Sequence, residues 1–211
     1  MELDGGVLLL YYILSILATI SVLSIFVTLF VAFSLYGNRA TVKKSKHTFF
    51  ATGSMVAFYG LYFTVMQLGW GGFRYVYDSD AAFYINTALI ISATALVVAG
   101  AIINLSGRLQ LKDNWANQIK IYEGQTLVTG GIYKTIRHPL YTSLILLFIG
   151  GSLAYKNLLC AALTAFVFFP SIYYRAKQEE LLLCDEFTEY SAYMEKTGMF
   201  FPKINLHRSG Q

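Results

Sequence analysis

The sequence predicts an all-α, polytopic membrane protein, with about five transmembrane helices followed by a cytoplasmic C-terminal amphipathic helix. Three observations predict it. Hydrophobic residues make up 56% of the 211 residues and charged residues 13%, about half the charged share of an ordinary soluble domain. The charges are segregated, with none from Gly5 to Asn38, from Thr48 to Phe73 or from Ala81 to Gly107. Each of these runs exceeds the roughly 20 residues that cross a bilayer core. Two shorter runs, Pro139–Tyr155 and Asn157–Tyr174, are parted only by Lys156 and read as a tight hairpin of two minimal spans. Finally, five spans place 14 of the 16 Lys and Arg residues on one side, leaving only Arg74 and Lys156 on the other. By the positive-inside rule the N-terminus is then outside and the C-terminus cytoplasmic. A net charge of +4 is accounted for by this asymmetry and by attraction to anionic membrane lipid, and implies no nucleic-acid partner.

Span one, about Val7–Leu35, contains no acidic residue and no proline. It is too long for a cleaved signal peptide and reads as a retained span. Arg39, Lys43, Lys44 and Lys46 form the basic loop after it. Span two, about Thr48–Leu68, carries Gly53 and Gly60 on one face, a spacing that permits close approach of another helix. Gly69-Trp70-Gly71-Gly72 ends it, with Trp70 at the membrane interface. Span three, about Ala82–Ser106, has Ala95 and Ala99 at small-xxx-small spacing. Asn86 and Asn104 near its ends suit interhelical hydrogen bonds.

Arg108–Arg137 is a polar connector of about thirty residues, longer than two antiparallel spans require, and loops of that length are usually functional. Within it, Leu111-Lys112-Asp113-Asn114-Trp115 reads as an interfacial segment, and Leu127-Val128-Thr129 precedes a Gly130-Gly131 turn. The chain thus divides into residues 1–107, three spans, and residues 108–211, which hold the connector, the hairpin and the C-terminal helix. Pro170 is placed to bend span five. Ser171–Lys196 follows as an amphipathic helix with Leu183, Phe187, Tyr190 and Met194 on one face, and Arg175 four residues before Glu179. Thr197-Gly198 stops it and Pro202 marks the exit. Cys160 and Cys184 form no CxxC and read as packing residues.

The chemistry gathers around Gly130-Gly131-Ile132-Tyr133-Lys134-Thr135-Ile136-Arg137-His138-Pro139-Leu140-Tyr141. Pro139 suits the first turn of a helix, and His138 before it is pushed towards an extended backbone. Arg137 and His138 therefore stand at the positive pole of an incoming helix. Taken alone, they read as a snorkelling arginine and an interfacial histidine, and Glu179-Glu180 as a solvated helix face. The hairpin returns the end of span five beside the start of span four, so the two pairs should meet at one cytoplasmic mouth. Opposed charges, a histidine, Tyr133, Tyr141 and a glycine turn are the parts of a polar ligand site.

Gly131-Ile132-Tyr133, Arg137-His138-Pro139-Leu140-Tyr141 and Glu179-Glu180 with Phe187, Tyr190, Tyr193 and Pro202 resemble the isoprenylcysteine carboxyl methyltransferase family, its short prokaryotic members above all. Phospholipid N-methyltransferases share the signature more loosely. The resemblance covers roughly 114–203. It implies S-adenosylmethionine at His138, Pro139, Tyr141, Glu179 and Glu180, walled by Tyr133 and the Leu127-Val128 to Gly131 backbone. It also implies Arg137 as the catalytic arginine, with Glu180 beside it, and no metal. Two departures stand out: Lys112 where the family often has glycine, and fewer spans than the larger eukaryotic enzymes carry. No GxGxxG follows a strand, which excludes a Rossmann-type methyltransferase.

The acceptor implied is lipophilic, a small molecule or a prenylated substrate, most simply an isoprenylcysteine carboxylate. A phospholipid amine or a small thiol is the alternative, with Glu180 or His138 as the base. An NADPH-dependent sterol-type reductase and a non-catalytic membrane scaffold are the rivals from other classes.

Overall fold

The structure is a computed structural model; it describes residues 41–72, 80–114 and 119–203, together with positions 6, 9, 10, 12–14, 16, 17, 20 and 27. Most of the expected first span, Trp115 and the tail 205–211 lie outside the described residues.

Helix α1, Thr48–Leu68, matches the second expected span to the residue. It ends at Gly69, whose left-handed φ of 68° lets its N–H and that of Trp70 close on the last carbonyls. Helix α2, Asp80–Leu111, is longer than the third expected span by a turn or more at its C-terminal end, so it carries Arg108 and Gln110 into the connector. Helix α3, Pro139–Ala154, and helix α4, Leu158–Glu186, form the hairpin. Helices α1, α4 and Ala81–Leu111 of α2 are long and apolar enough to cross a membrane. The 16 residues of α3, at about 1.5 Å each, give a shorter apolar helix.

The aromatic core lies between α1, α3 and α4. Phe58 meets Phe148 edge-on at 4.9 Å and stacks on Phe168 at 4.6 Å. Tyr62 donates to the Phe148 carbonyl at 3.0 Å, which satisfies its hydroxyl without water. The seam between α2 and α3 is built differently, from small residues. A Cβ on Gly100 would stand 3.0 Å from the Ser143 carbonyl oxygen, and one on Gly150 would stand 2.8 Å from Val97 Cγ2 and 3.0 Å from the Ala93 carbonyl oxygen. Asn104 donates across this seam to Ser143 at 2.8 Å, as the sequence led one to expect.

Several expectations change. Ala95 is exposed, and the packing face of α2 runs instead through Ala93, Val97, Gly100 and Asn104. Beyond their own helix no described residue lies within 4 Å of a Cβ built on Gly53 or Gly60, so a helix packed on that face would lie outside the described residues. The fold is not purely α: β1, Thr41–Lys44, pairs antiparallel with β2, Lys120–Tyr122. The basic loop and the connector each hold a short β-branched stretch, and burial of Ile119, Ile121 and Tyr122 fixes the pair. The expected single helix Ser171–Lys196 breaks at Phe187–Glu189, leaving α5 as Tyr190–Lys196. Inside α4, Thr164–Phe168 is a π-turn just ahead of Pro170. Proline there offers no N–H to the Phe166 carbonyl and crowds it, and a widened turn relieves both.

Candidate active site

The site begins with the connector's return to the membrane. Gly131 takes a φ of 54°, and a Cβ there would run into the Gln110 side chain. Glycine is required on both counts. Gln110 Oε1 in turn accepts the Ile132 N–H at 2.9 Å, so the extended end of α2 fixes this turn. The 3-10 turn Gly131–Lys134 follows. His138 then adopts φ −123° and ψ 61°, off the helical region as proline demands, and Pro139 opens α3.

On the opposite wall, Glu179 and Glu180 stand near the C-terminal end of α4. The expected meeting of the two pairs is present. Arg137 Nε donates to Glu180 Oε1 at 2.8 Å, and His138 Nε2 lies 3.3 Å from the same oxygen. Lys177 Nζ faces the other oxygen of Glu180 at 3.4 Å. His138 Nδ1 lies 3.6 Å from Glu179 Oε2. The Tyr141 hydroxyl donates to Glu179 and itself accepts from Arg175 Nε at 2.6 Å. Arg175 also pairs with Glu179 at 3.4 Å, the helical spacing the sequence suggested, and reaches Thr52 on α1 at 3.1 Å. The centre of the network is buried, with Glu180 only 3% exposed and His138 and Arg175 buried beside it, while Glu179 is half-buried and Lys177 exposed. The carboxylates gather at the N-terminal pole of α3, where the helix dipole favours them.

Arg137 has a second task. Its Nη1 donates to the Met194 carbonyl at 3.1 Å and to the Thr197 carbonyl, which caps α5. The main chain extends this link. Arg137 N–H bonds to the Gly198 carbonyl at 2.9 Å, His138 N–H to the Met199 carbonyl at 3.0 Å, and Thr142 Oγ1 to the Phe200 carbonyl at 2.7 Å. Residues 197–200 thus form a strap across the Arg-His segment. The His138 ring lies between Tyr141, stacked at 5.6 Å, and Phe200 at 6.1 Å.

Tyr133 is buried, and its carbonyl accepts the Tyr193 hydroxyl at 2.6 Å. Burial raises the Tyr133 and Tyr190 hydroxyls well above their ordinary pKa, and pushes Tyr193 up to about 12. All three stay protonated at neutral pH, and Tyr133 and Tyr193 donate, to the Gly107 and Tyr133 carbonyls. Leu127 and Val128 are half-buried in an irregular stretch tied at Thr126, whose N–H donates to Asn114 Oδ1 at 2.7 Å. They make no hydrogen bond to the carboxylates among the described residues, and Pro139 is fully buried and packs against Gly107 of α2. Lys112 keeps a glycine-like backbone, with φ 43°.

From the sequence alone, Arg175 is only a helix partner of Glu179 and Thr197-Gly198 only a helix stop. The four-residue spacing to Glu179 was the sole signal for the first. Nothing in the sequence announced the strap, which is held by backbone pairing with Thr135–His138 and by the Arg137 and Thr142 side chains. Among the described residues no group of three His, Cys, Asp or Glu side chains could hold a metal ion.

The chain is similar, over 89 residues at 33% identity, to the cobalt-zinc-cadmium resistance protein CzcN of Cupriavidus metallidurans, covering 41% of this chain and 40% of that one. It is similar, over 86 residues at 34% identity, to the nickel-cobalt-cadmium resistance protein NccN of Alcaligenes xylosoxydans xylosoxydans, covering 39% of each. The chain therefore spans about two fifths of the length of the curated relatives it matches. Residues 93–185, from the middle of α2 to the end of α4 and including Arg137, His138, Tyr141, Arg175, Glu179 and Glu180, match the model of the isoprenylcysteine carboxyl methyltransferase family, the family that the motifs resemble.

Proposed function

We propose that the chain is a membrane methyltransferase that uses S-adenosylmethionine on a lipophilic acceptor, with an isoprenylcysteine-type carboxylate as the leading acceptor. One observation supports this most: the buried network of Arg137, His138, Tyr141, Glu179 and Glu180 at the start of α3, inside the family-matched segment. S-adenosylmethionine would supply a methyl group on a sulfonium, open to in-line displacement. The donor set suits it. Glu179 and Glu180 offer acceptors for ribose hydroxyls and for an ammonium group, and the stacked His138–Tyr141 pair offers a flat wall. Leu127, Val128, Gly131, Tyr133 and Pro139 complete the proposed pocket.

The residues of the chain then have two tasks, alignment and exclusion of water. A carboxylate acceptor is ionised at neutral pH and requires no base. Arg137 commits Nε and Nη1 to the protein, which leaves Nη2 as the corner for a charge-assisted contact with that carboxylate. Glu180 fixes the guanidinium plane. The proposed orientation, with the mouth on the cytoplasmic side, rests on the distribution of Lys and Arg along the sequence.

Calorimetry with the detergent-purified chain tests the reading. We expect saturable binding of S-adenosylmethionine and S-adenosylhomocysteine, and a loss of at least about tenfold in Glu180→Ala. Wild-type affinity in a folded Glu180→Ala would remove that residue from the cofactor site. Absence of binding by folded wild-type protein would refute the cofactor itself. A panel of prenylcysteines, phospholipid amines and thiols then identifies the acceptor. A rate that rises with titration of a base favours an amine or thiol over a carboxylate.

A further inference from the structure

The two-stranded sheet has an unusual cross-strand pair. Its register places Lys44 of β1 directly opposite Lys120 of β2. Like charges facing each other across an antiparallel pair destabilise it. Neither ammonium has an ion-pair partner among the described residues. Lys120 instead sits 4.6 Å above the Tyr122 ring, and Lys44 is exposed. The neighbour Lys43, on the other face by strand alternation, is fully engaged, 3.0 Å from both Asp185 and Glu186 at the end of α4. Asp185 and Glu186 are therefore spent on Lys43, and Glu123, the residue after β2, is exposed and forms no ion pair among the described residues.

The sheet is held rigidly where a membrane surface would lie. Ser45 N–H bonds to the Ile119 carbonyl at 2.9 Å, and Thr48 Oγ1 reaches the Ser45 and Ile119 carbonyls at 2.9 and 3.2 Å. Thr48 is the first residue of a helix long and apolar enough to cross a membrane. Lys44 and Lys46 precede it by four and two residues, at headgroup depth. Beside them stand exposed apolar side chains, Val42 at 59%, Phe49 at 90% and Phe50 at 66% exposure. Paired cations next to apolar groups that point out of the protein fit the two halves of a lipid, a charged headgroup above and acyl chain below.

We propose that the β1–β2 sheet is a docking surface for anionic phospholipid headgroups, with the Lys44–Lys120 pair as its phosphate-binding centre and Lys46 at its margin. The occupant is membrane lipid because the cations adjoin Val42, Phe49 and Phe50, which a soluble anion would leave in water. Lys43 ties the surface to α4, the helix that carries Glu179 and Glu180, so bound lipid would steady the wall of the mouth. The inference does not depend on the methyltransferase reading.

Native mass spectrometry of the full chain in detergent, titrated with phosphatidylglycerol or phosphatidylcholine of the same acyl chains, tests it. Each lysine near an anionic surface is worth about fivefold in affinity. Lys44→Gln/Lys120→Gln should therefore weaken phosphatidylglycerol binding by about 25-fold and leave phosphatidylcholine unchanged. Lys156→Gln, at the far end of the α3–α4 hairpin, should leave both unchanged. Melting in detergent without anionic lipid supplies a second readout. The double variant should be no less stable than wild type, because the repulsion is gone, and phosphatidylglycerol should raise the melting temperature of wild type only. Equal binding of the two lipids by wild type, an unaltered affinity in the double variant, or a like loss in Lys156→Gln would overturn the proposal. Displacement of phosphatidylglycerol by millimolar inorganic phosphate would overturn the lipid assignment.

Discussion

The α2–α3 seam and the α3–α4 mouth lie on the same helix but are held together by opposite physics. In the seam, Gly100 and Gly150 let the helices approach until an added Cβ would stand 3.0 Å or less from its neighbour, Gly107 packs against Leu140 and Pro139, and Asn104 donates across to Ser143. Between helices in lipid, where no hydrophobic gain accompanies association, such close packing is the main source of attraction. The mouth has tight glycines at its edges, Gly131 and Gly198, but its centre is polar. Arg137, Lys177, His138 and Arg175 instead surround Glu179 and Glu180 in a chain of ion pairs and hydrogen bonds. The seam is specific through shape and does not react. The mouth is specific through charge, with each carboxylate held by more than one partner.

The largest effect should come from breaking the mouth. Arg137→Ala leaves Glu180 without its closest cation and uncaps α5 at Met194 and Thr197. Removing one partner of a buried ion pair costs about 3–5 kcal/mol. We expect that loss in chemical denaturation of the detergent-solubilised protein. An unchanged stability would reduce Arg137 to a purely ligand-facing role and detach the strap from it.

The seam should respond to volume rather than to charge. Gly150→Val puts a branched side chain against Val97 and the Ala93 carbonyl. Overpacking of this kind costs about 1–3 kcal/mol, read as a lower melting temperature. Because α3 carries the mouth at its other end, affinity for the proposed cofactor, S-adenosylmethionine, should hardly move in the folded fraction. A variant that keeps its stability but loses affinity would show that the two regions are coupled along α3.

The smallest effect should fall where α2 leaves the seam and enters the connector. Lys112 is held at φ 43°, a left-handed conformation that costs a residue with a Cβ about 1–2 kcal/mol. Lys112→Gly should raise stability by up to about 1 kcal/mol, since the chain entropy that glycine adds to the unfolded state offsets part of the relief. A loss of stability would mean that the lysine side chain holds the connector, which would weaken the contrast between seam and mouth at this point.

The sequence by itself determined most bounds of the described membrane helices and the meeting of the motifs. Charge-free runs bound α1, α3 and the membrane part of α4, because a charge in lipid is too costly to be placed casually. Pro139 set the start of α3, since proline offers no N–H and belongs to a first turn. The short hairpin made it necessary that Arg137-His138 and Glu179-Glu180 share one end. Only the tertiary structure decided which partner each charge takes. That Arg137 answers Glu180 while also capping α5, that Arg175 reaches Thr52 on α1, and that residues 197–200 strap the Arg-His segment all depend on backbone pairing between distant segments. The sheet β1–β2 and the choice of Ala93, Val97 and Gly100 over Ala95 for the seam have the same origin. Periodicity fixes which residues share a helix face, but the rotation that turns one face inward is set by the neighbour it packs against.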